Sequence, residues 1–585
     1  MVDLKANPFN LDEEGIKWVE ETLAGMTTKE KVGQLFCPLG MSDDDGYLNH
    51  LINDIGIGGM LYRAGDKKYI QDAYRKIQSM AKIPLLLAAN TEAGGDGVVN
   101  EGTSFGKPMA VAATNDPENA YRMGYVACKE GAALGLNWSF APIVDIDYNF
   151  HNPITNVRTF GSDPEKVLAN ASRYLDGADE NDVAVSIKHF PGDGCDERDQ
   201  HIVLSVNSKS VEEWDKTYGH VYGELIKKGA KTVMVGHIAQ PAYVEALNPN
   251  ATTKEKMMPA SLSKELMQGL LRGKLGFNGL ITTDSTCMLG FTTAMPRRDA
   301  VPASINAGAD MFLFDKSLEE DFGFMMDAVE KGVISAERLD EAVTRILATK
   351  ASLHLHTKQK EGTLVPGPES LNVIGCEQHT QWAKQVADQA VTLVKDTQNL
   401  LPISTERYKR VYLNIIQKEL SADDENVRDW VARFEKEGFE VMVRDRSAVF
   451  ETPDFINPNL PPAKEALRKE IQGSSADIYQ KGDLIVFIAN IENASNNTVL
   501  RLNWRVVFGL GDDAPWFTEE IPTMMISTAC PYHLFDAAMI HTYINAYNTA
   551  PQFKDAIMDK IMGRSEFKGV APSDPFCGLD YLKEI

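Results

Sequence analysis

Residues 183–201 read VAVSIKHFPGDGCDERDQH. The first eight, Val183–Phe190, form a mostly apolar run that turns polar at Lys188 and His189. Hydrophobicity that is continuous, not alternating, marks a strand of a parallel sheet buried on both faces. Pro191-Gly192-Asp193-Gly194 then forces a loop that carries Asp193, Asp196, Asp199 and His201. Reactive side chains therefore begin where the strand stops.

The same layout recurs on both sides of this stretch. Short apolar runs occupy Gly33–Pro38, Ile55–Tyr62, Pro84–Asn90, Leu136–Pro142, Thr232–Ile238, Gly279–Ser285 and Met311–Phe314. Helical spacing fills the intervals. Asp116–Glu130 and Pro164–Ala178 begin at Asp-Pro, an N-cap with proline at N1. Ser210–Lys228, Ser261–Leu271 and Ser335–Leu353 each begin at a serine. Eight strands alternating with helices predict an α/β fold whose N-terminal part is a (β/α)8, TIM-like barrel. An open doubly wound sheet is the alternative, but neither G-x-G-x-x-G nor G-x-x-x-x-G-K-[ST] occurs.

In such a barrel the active site lies at the C-terminal ends of the strands. Glu92 follows the third run, Asp145 the fourth, and Lys188 and His189 end the fifth. His237 ends the sixth and Asp284 the seventh. Together they imply a shared cup. Asp284, in LITTDSTCMLGF, reads either as an N-cap or as a carboxylate nucleophile. The 193–201 loop has three readings: a solvated acidic loop, a metal site, or an Asp199–His201 pair that moves protons near neutral pH. No metal-ligand spacing supports the second. Lys188 is a candidate Schiff-base amine, although its charged surroundings favour a hydrogen-bonding role. Arg158, in NPITNVRTFGSDP, is either an exposed ion pair or a planar donor fork at the cup rim.

Residues 356–380 are rich in Gly, Pro, Lys and Glu and predict a linker between a catalytic domain over 1–355 and a second domain over 381–585. Helices at Gln381–Val394, Glu425–Glu437 and Lys464–Gln472 alternate with strands at Arg410–Ile416, Phe439–Arg444, Leu484–Asn490 and Thr523–Ser527. This predicts a smaller three-layer α/β/α sandwich with an irregular C-terminal tail that packs onto a surface.

The 585 residues carry a net charge of −24, which argues against nucleic acid or an anionic membrane as a partner. Seven scattered cysteines without a C-x-x-C pair predict reduced thiols and a cytoplasmic protein. The N-terminus shows no apolar h-region, and no window holds 18 uninterrupted apolar residues.

These motifs together resemble glycoside hydrolase family 3, in its two-domain β-N-acetylglucosaminidase branch. KHFPGDG…DQH resembles K-H-F-P-G-H-G-D-T-x-x-D-S-H. PASLSKELMQGLLRGKLGFNGLITTDS resembles the nucleophile strand and what precedes it, and NVRTFGSDP resembles N-x-R-[SA]-F-G-x-D-P. AVPASINAGADMFLF resembles the last barrel helix and strand, and QAVTLVKDTQNLLPI the entry to the second domain. By position, the resemblance makes Asp284 the nucleophile, His201 the acid/base and Asp199 its dyad partner. Lys188, His189 and Arg158 become sugar-binding residues, and His237 joins them in the cup. Asp193 departs from the family's second histidine, and Asn90-Thr91-Glu92-Ala93-Gly94-Gly95 departs from D-Q-E-G-G. Either Asn90 or Glu92 takes the sugar-hydroxyl role, with the charged Glu92 favoured.

The resemblance implies a retaining, exo-acting β-N-acetylhexosaminidase of carbohydrate metabolism, working on a small N-acetylglucosaminide as monomer or homodimer and needing no metal or organic cofactor. A neutral imidazole repels an incoming anion less than a carboxylate does, so phosphate in place of water would make the enzyme a phosphorylase. A Schiff-base lyase or aldolase using Lys188 is the alternative from another class, and a catalytically silent sugar-binding barrel is a third.

Overall fold

The computed structural model describes residues 2–417, 424–444, 474–502, 504 and 514–585. The chain divides into two compact units. The first comprises Met1–Ala112, Asp116–Ala383 and Ser495–Thr498; the second comprises Ala113–Asn115, Lys384–Ala494 and Val499–Ile585.

The first unit is built on β1 (Phe36–Cys37), β2 (Leu39–Gly40), β3 (Gly59–Tyr62), β4 (Leu86–Ala89), β5 (Trp138–Ser139), β6 (Ala184–Phe190), β7 (Ser205–Val206), β8 (Thr232–Val235), β9 (Ile238–Ala239), β10 (Leu280–Thr283) and β11 (Phe312–Leu313). Seven form one sheet in the order β2-β3-β4-β5-β6-β8-β10, every pair parallel. β1 pairs in parallel with β11, and Met311 bridges to Thr282 of β10. All seven residues of β6 are buried, as the continuous run in the sequence requires.

Helices lie between the strands where capping residues start them. Asp163 accepts from the Glu165 amide ahead of Pro164–Asp179, and Ser335 accepts from the Arg338 amide ahead of Ala336–Ser352. The strands are shorter than their apolar runs, two of them markedly. Gly33 and Gln34 close the helix Thr28–Gln34, and of Leu136–Pro142 only Trp138–Ser139 pairs. Ser210–Lys228 is two helices, Val211–Lys216 and Tyr218–Lys228. Because the strands are parallel, their C-terminal ends share one edge of the sheet, where Glu92, Asp145, Lys188, His189, His237 and Asp284 all fall.

The second unit is a six-stranded sheet of β12 (Thr392–Asp396), β13 (Arg410–Gln417), β14 (Glu440–Val443), β15 (Leu484–Asn490), β16 (Thr523–Ser527) and β17 (Thr542–Asn545), in the order β12-β17-β16-β15-β13-β14. Only β12 is antiparallel to its neighbour. The reading of Gln381–Val394 as one helix is corrected: the helix is Glu377–Ala390, and Thr392 begins a strand. β17 was not expected either. The helix expected over Lys464–Gln472 lies outside the described residues. Phe487, Phe517, Tyr543 and Ile485 centre the core, and Phe576 and Leu582 of the tail join it. Among the described residues no helix is long and apolar enough to cross a membrane.

Candidate active site

Asp284 stands one residue beyond β10, its amide bonded to the Val235 carbonyl of β8 at 2.9 Å. Its Oδ1 accepts from the Ser285 amide at 2.7 Å, and Oδ2 lies 3.9 Å from His189 Nε2. Burial alone would raise this carboxyl. His189, His237, His201 and the Ser285 amide outweigh burial and hold it below the ordinary carboxylate range. The group is thus ionised, partly exposed at 15% of its side-chain surface, and available as a nucleophile.

Two Asp–His pairs flank it. Asp145 Oδ2 binds His189 Nδ1 at 2.7 Å, while Oδ1 accepts the His189 amide at 3.1 Å and the Asp193 amide at 2.7 Å. A carboxylate on Nδ1 leaves Nε2 facing Asp284. In the second pair, Asp199 Oδ1 binds His201 Nδ1 at 2.6 Å and the His201 amide at 2.9 Å. Asp199 is fully buried, whereas 23% of the His201 side chain is exposed, so the imidazole presents Nε2 outward. Ser495–Thr498, far along the chain but part of this unit, meets the dyad. The Asn496 amide donates to Asp199 Oδ2 at 2.8 Å, and Ser495 Oγ stands 3.1 Å from His201 Nε2.

Glu92 anchors a cluster of opposite sign. Arg158 grips it in bidentate fashion, Nε to Oε2 at 3.0 Å and Nη2 to Oε1 at 2.8 Å. Lys188 Nζ lies 2.8 Å from Oε1 and 3.4 Å from Asn90 Oδ1. Burial would raise Glu92, but Arg158 and Lys188 hold it well below the usual carboxylate range. A carboxylate offers about four acceptor sites, so Glu92 keeps capacity for hydroxyls.

His237 needs a correction. Its ring is fully buried, Nδ1 lies 2.7 Å from Ser261 Oγ, and Nε2 donates to the Ser285 carbonyl at 2.8 Å. Both nitrogens are spent on the frame that holds the end of β10, and burial lowers the basicity of the ring. It supports the site from behind. The 193–201 loop also departs from a uniformly solvated acidic loop. Asp196 turns to Arg198 at 2.6 Å, whereas Asp193 is buried. Burial and the Asp145 carboxylate push Asp193 up to about 8. Among the described residues no three His, Cys, Asp or Glu side chains are grouped to hold a metal ion.

Sequence reasoning noted Asp145 at its strand end but gave it no role. It did not reach Gln200, Ser495 or Asn496. The local sequence holds no signal for the last two, which lie about 300 residues from the dyad.

Comparison with known proteins gives the family. Residues 27–349 match the glycosyl hydrolase family 3 N terminal domain. The chain is 41% identical, over 99% of both chains, to a β-N-acetylglucosaminidase/β-glucosidase of Cellulomonas fimi. Among solved structures, the β-glucoside phosphorylase BglX bound to 2FGlc is 41% identical with a TM-score of 0.89, covering 98% of this chain and 99% of that one. A family 3 β-N-acetylglucosaminidase from Paenibacillus sp. str. FPU-7 shares the fold at 23% identity and a TM-score of 0.76, covering 94% of this chain and 99% of that one. The protein belongs to glycoside hydrolase family 3.

Proposed function

We propose that this enzyme transfers β-N-acetylglucosaminyl residues with retention, through a covalent glycosyl-enzyme on Asp284. The observation that supports the reading is an ionised carboxylate flanked by two imidazoles, His189 and His201, each oriented by a buried aspartate. Asp284 attacks the anomeric carbon while His201 Nε2 gives its proton to the departing oxygen. His201 then takes a proton from the acceptor in the second displacement. Asp199 fixes the tautomer and steadies the imidazolium. Arg158, Lys188 and Glu92 hold sugar hydroxyls, and His189 lies against the nucleophile.

The first 355 residues are proposed to form a closed barrel, with 356–380 joining it to a sandwich over 381–585. The pairing of β1 with β11 and the Met311–Thr282 bridge support closure, since they continue the sheet beyond β10 towards β2. Seven free cysteines suit a cytoplasmic protein. The lyase reading loses ground. Imine formation needs a free, approachable amine, and Lys188 is buried against Glu92.

A second reading has specific support. The imidazole acid/base tolerates an anionic acceptor, and a 41% identical structure is that of a β-glucoside phosphorylase. In this reading phosphate replaces water and the sugar is glucose. Nitrophenyl β-N-acetylglucosaminide and β-glucoside, each assayed with and without phosphate, separate the two. The primary reading expects faster turnover of the N-acetylglucosaminide. Equal or faster release from the glucoside overturns that choice of sugar, and a sugar 1-phosphate product identifies phosphate as the acceptor.

A further inference from the structure

Gln200, one residue before His201, is buried and bonded at both ends of its amide. Its Oε1 accepts the His237 backbone amide at 2.7 Å, and its Nε2 donates to Asp193 Oδ2 at 3.3 Å. Its carbonyl accepts the Gly290 amide at 3.2 Å, next to the Leu289 amide on the His201 carbonyl at 2.9 Å. The fit is close. A Cβ on Gly236 would come to 3.0 Å from Gln200 Oε1, and one on Gly290 to 2.8 Å from its carbonyl oxygen. Glycine at both positions leaves room for this side chain and backbone.

Asp193 is the other half of the contact. Its Oδ1 takes the Gly194 amide at 2.7 Å, Asn152 Nδ2 at 3.2 Å and Ser205 Oγ at 3.4 Å. Its carbonyl takes the Tyr218 hydroxyl at 2.6 Å, and its amide is held by Asp145. The start of the loop is therefore fastened from five sides, and Oδ2 is left for Gln200.

We propose that the Asp193–Gln200 contact is a positioning device that fixes the end of the loop, and with it the His201 imidazole, against the bend between β8 and β9 that carries His237. Neither residue touches the reacting atoms. Both act through the placement of His201, so the inference rests on His201 being the acid/base. The direction of the hydrogen bond is what matters. Gln200 spends its oxygen on His237 and has only N–H to offer, so position 193 must present an acceptor.

This polarity gives the test. Asp193→Asn sets an amide NH2 against the Gln200 NH2. Gln200→Glu sets a carboxylate against Asp193, a clash that holds where Asp193 is ionised, so all rates are read above about pH 8. The double variant restores one donor and one acceptor, keeps the net charge and leaves an oxygen for the His237 amide. Rates are read on a dinitrophenyl glycoside, which leaves without a proton, and on a disaccharide, which needs one. Each single variant is expected to lose about tenfold to a hundredfold on the disaccharide and little on the dinitrophenyl substrate, with the double variant recovering most of that loss. Gln200→Met, which leaves the other Asp193 bonds in place, should show the same selective loss if a charged variant does not fold. Equal losses on both substrates, or losses that simply add in the double variant, overturn the proposal. His201→Ala runs alongside. Without a selective disaccharide loss there, the acid/base reading itself has failed; with that loss present and Asp193 and Gln200 variants unselective, only the positioning role has failed.

Discussion

Asp284 and His189, whose Nε2 faces it, show why residue type at a strand end is informative. A carboxylate beside imidazoles stays ionised despite burial, and that is the state a nucleophile requires. Asp284→Asn should cut turnover by at least roughly 10⁴-fold while leaving the thermal transition in place, measured by steady-state rates and calorimetry. His201→Ala should lose far more on a disaccharide than on a dinitrophenyl glycoside, and Asp199→Asn should follow the same pattern more weakly. Glu92 allows a prediction about stability. Its carboxyl is depressed in the fold, so its contribution is present above about pH 4.5 and is lost as pH falls towards the depressed folded value. Glu92→Gln leaves Arg158 and Lys188 uncompensated and should cost about 3–5 kcal/mol near neutrality. The gap from wild type, followed by unfolding at several pH values, should hold down to about pH 5 and narrow below it. Asp284, Glu92 and Lys188 were placed on this edge by the ends of apolar runs, whereas Arg158, Asp199 and His201 came from loops and the family resemblance. The role of His237 was not legible, because a sequence does not tell which ring nitrogens are already bonded.

Among the elements, the loop after β6 depends most directly on its sequence. Pro-Gly-Asp-Gly needs both glycines: φ is +111° at Gly192 and +105° at Gly194, conformations that other residues rarely adopt. A Cβ on Gly194 would fall 1.9 Å from the Ile146 carbonyl oxygen, and one on Gly192 would fall 2.1 Å from the Tyr218 ring. Gly194→Ala should therefore displace the dyad segment and cost on the order of 100-fold in rate, checked against a nitrophenyl substrate with folding followed by circular dichroism. Long, largely buried strands such as β6 and β15 were legible because their apolar runs are long and do not alternate. β12 and β17 were not. Thr392–Asp396 follows an amphipathic helix so closely that helical spacing runs on into Val391 and Val394, and its burial does not alternate. Thr542–Asn545 is only four residues long, too short for a periodic signal.

For the whole molecule, a parallel sheet with reactive residues on one edge accords with membership of glycoside hydrolase family 3. Family membership does not fix the acceptor. The dyad makes phosphate chemically admissible, and no single residue in the sequence announces the choice. Arsenate, which forms an unstable glycosyl ester, should accelerate net hydrolysis if the acceptor site takes oxyanions and should leave the rate unchanged if it takes only water. In the proposed mechanism both outcomes share one intermediate, a sugar bonded to Asp284. Trapping it with an activated 2-fluoro glycoside, followed by mass spectrometry of peptides from the inactivated protein, tests that intermediate directly. The expected result is one label, carried by Asp284; a label on a different carboxylate would contradict the assignment.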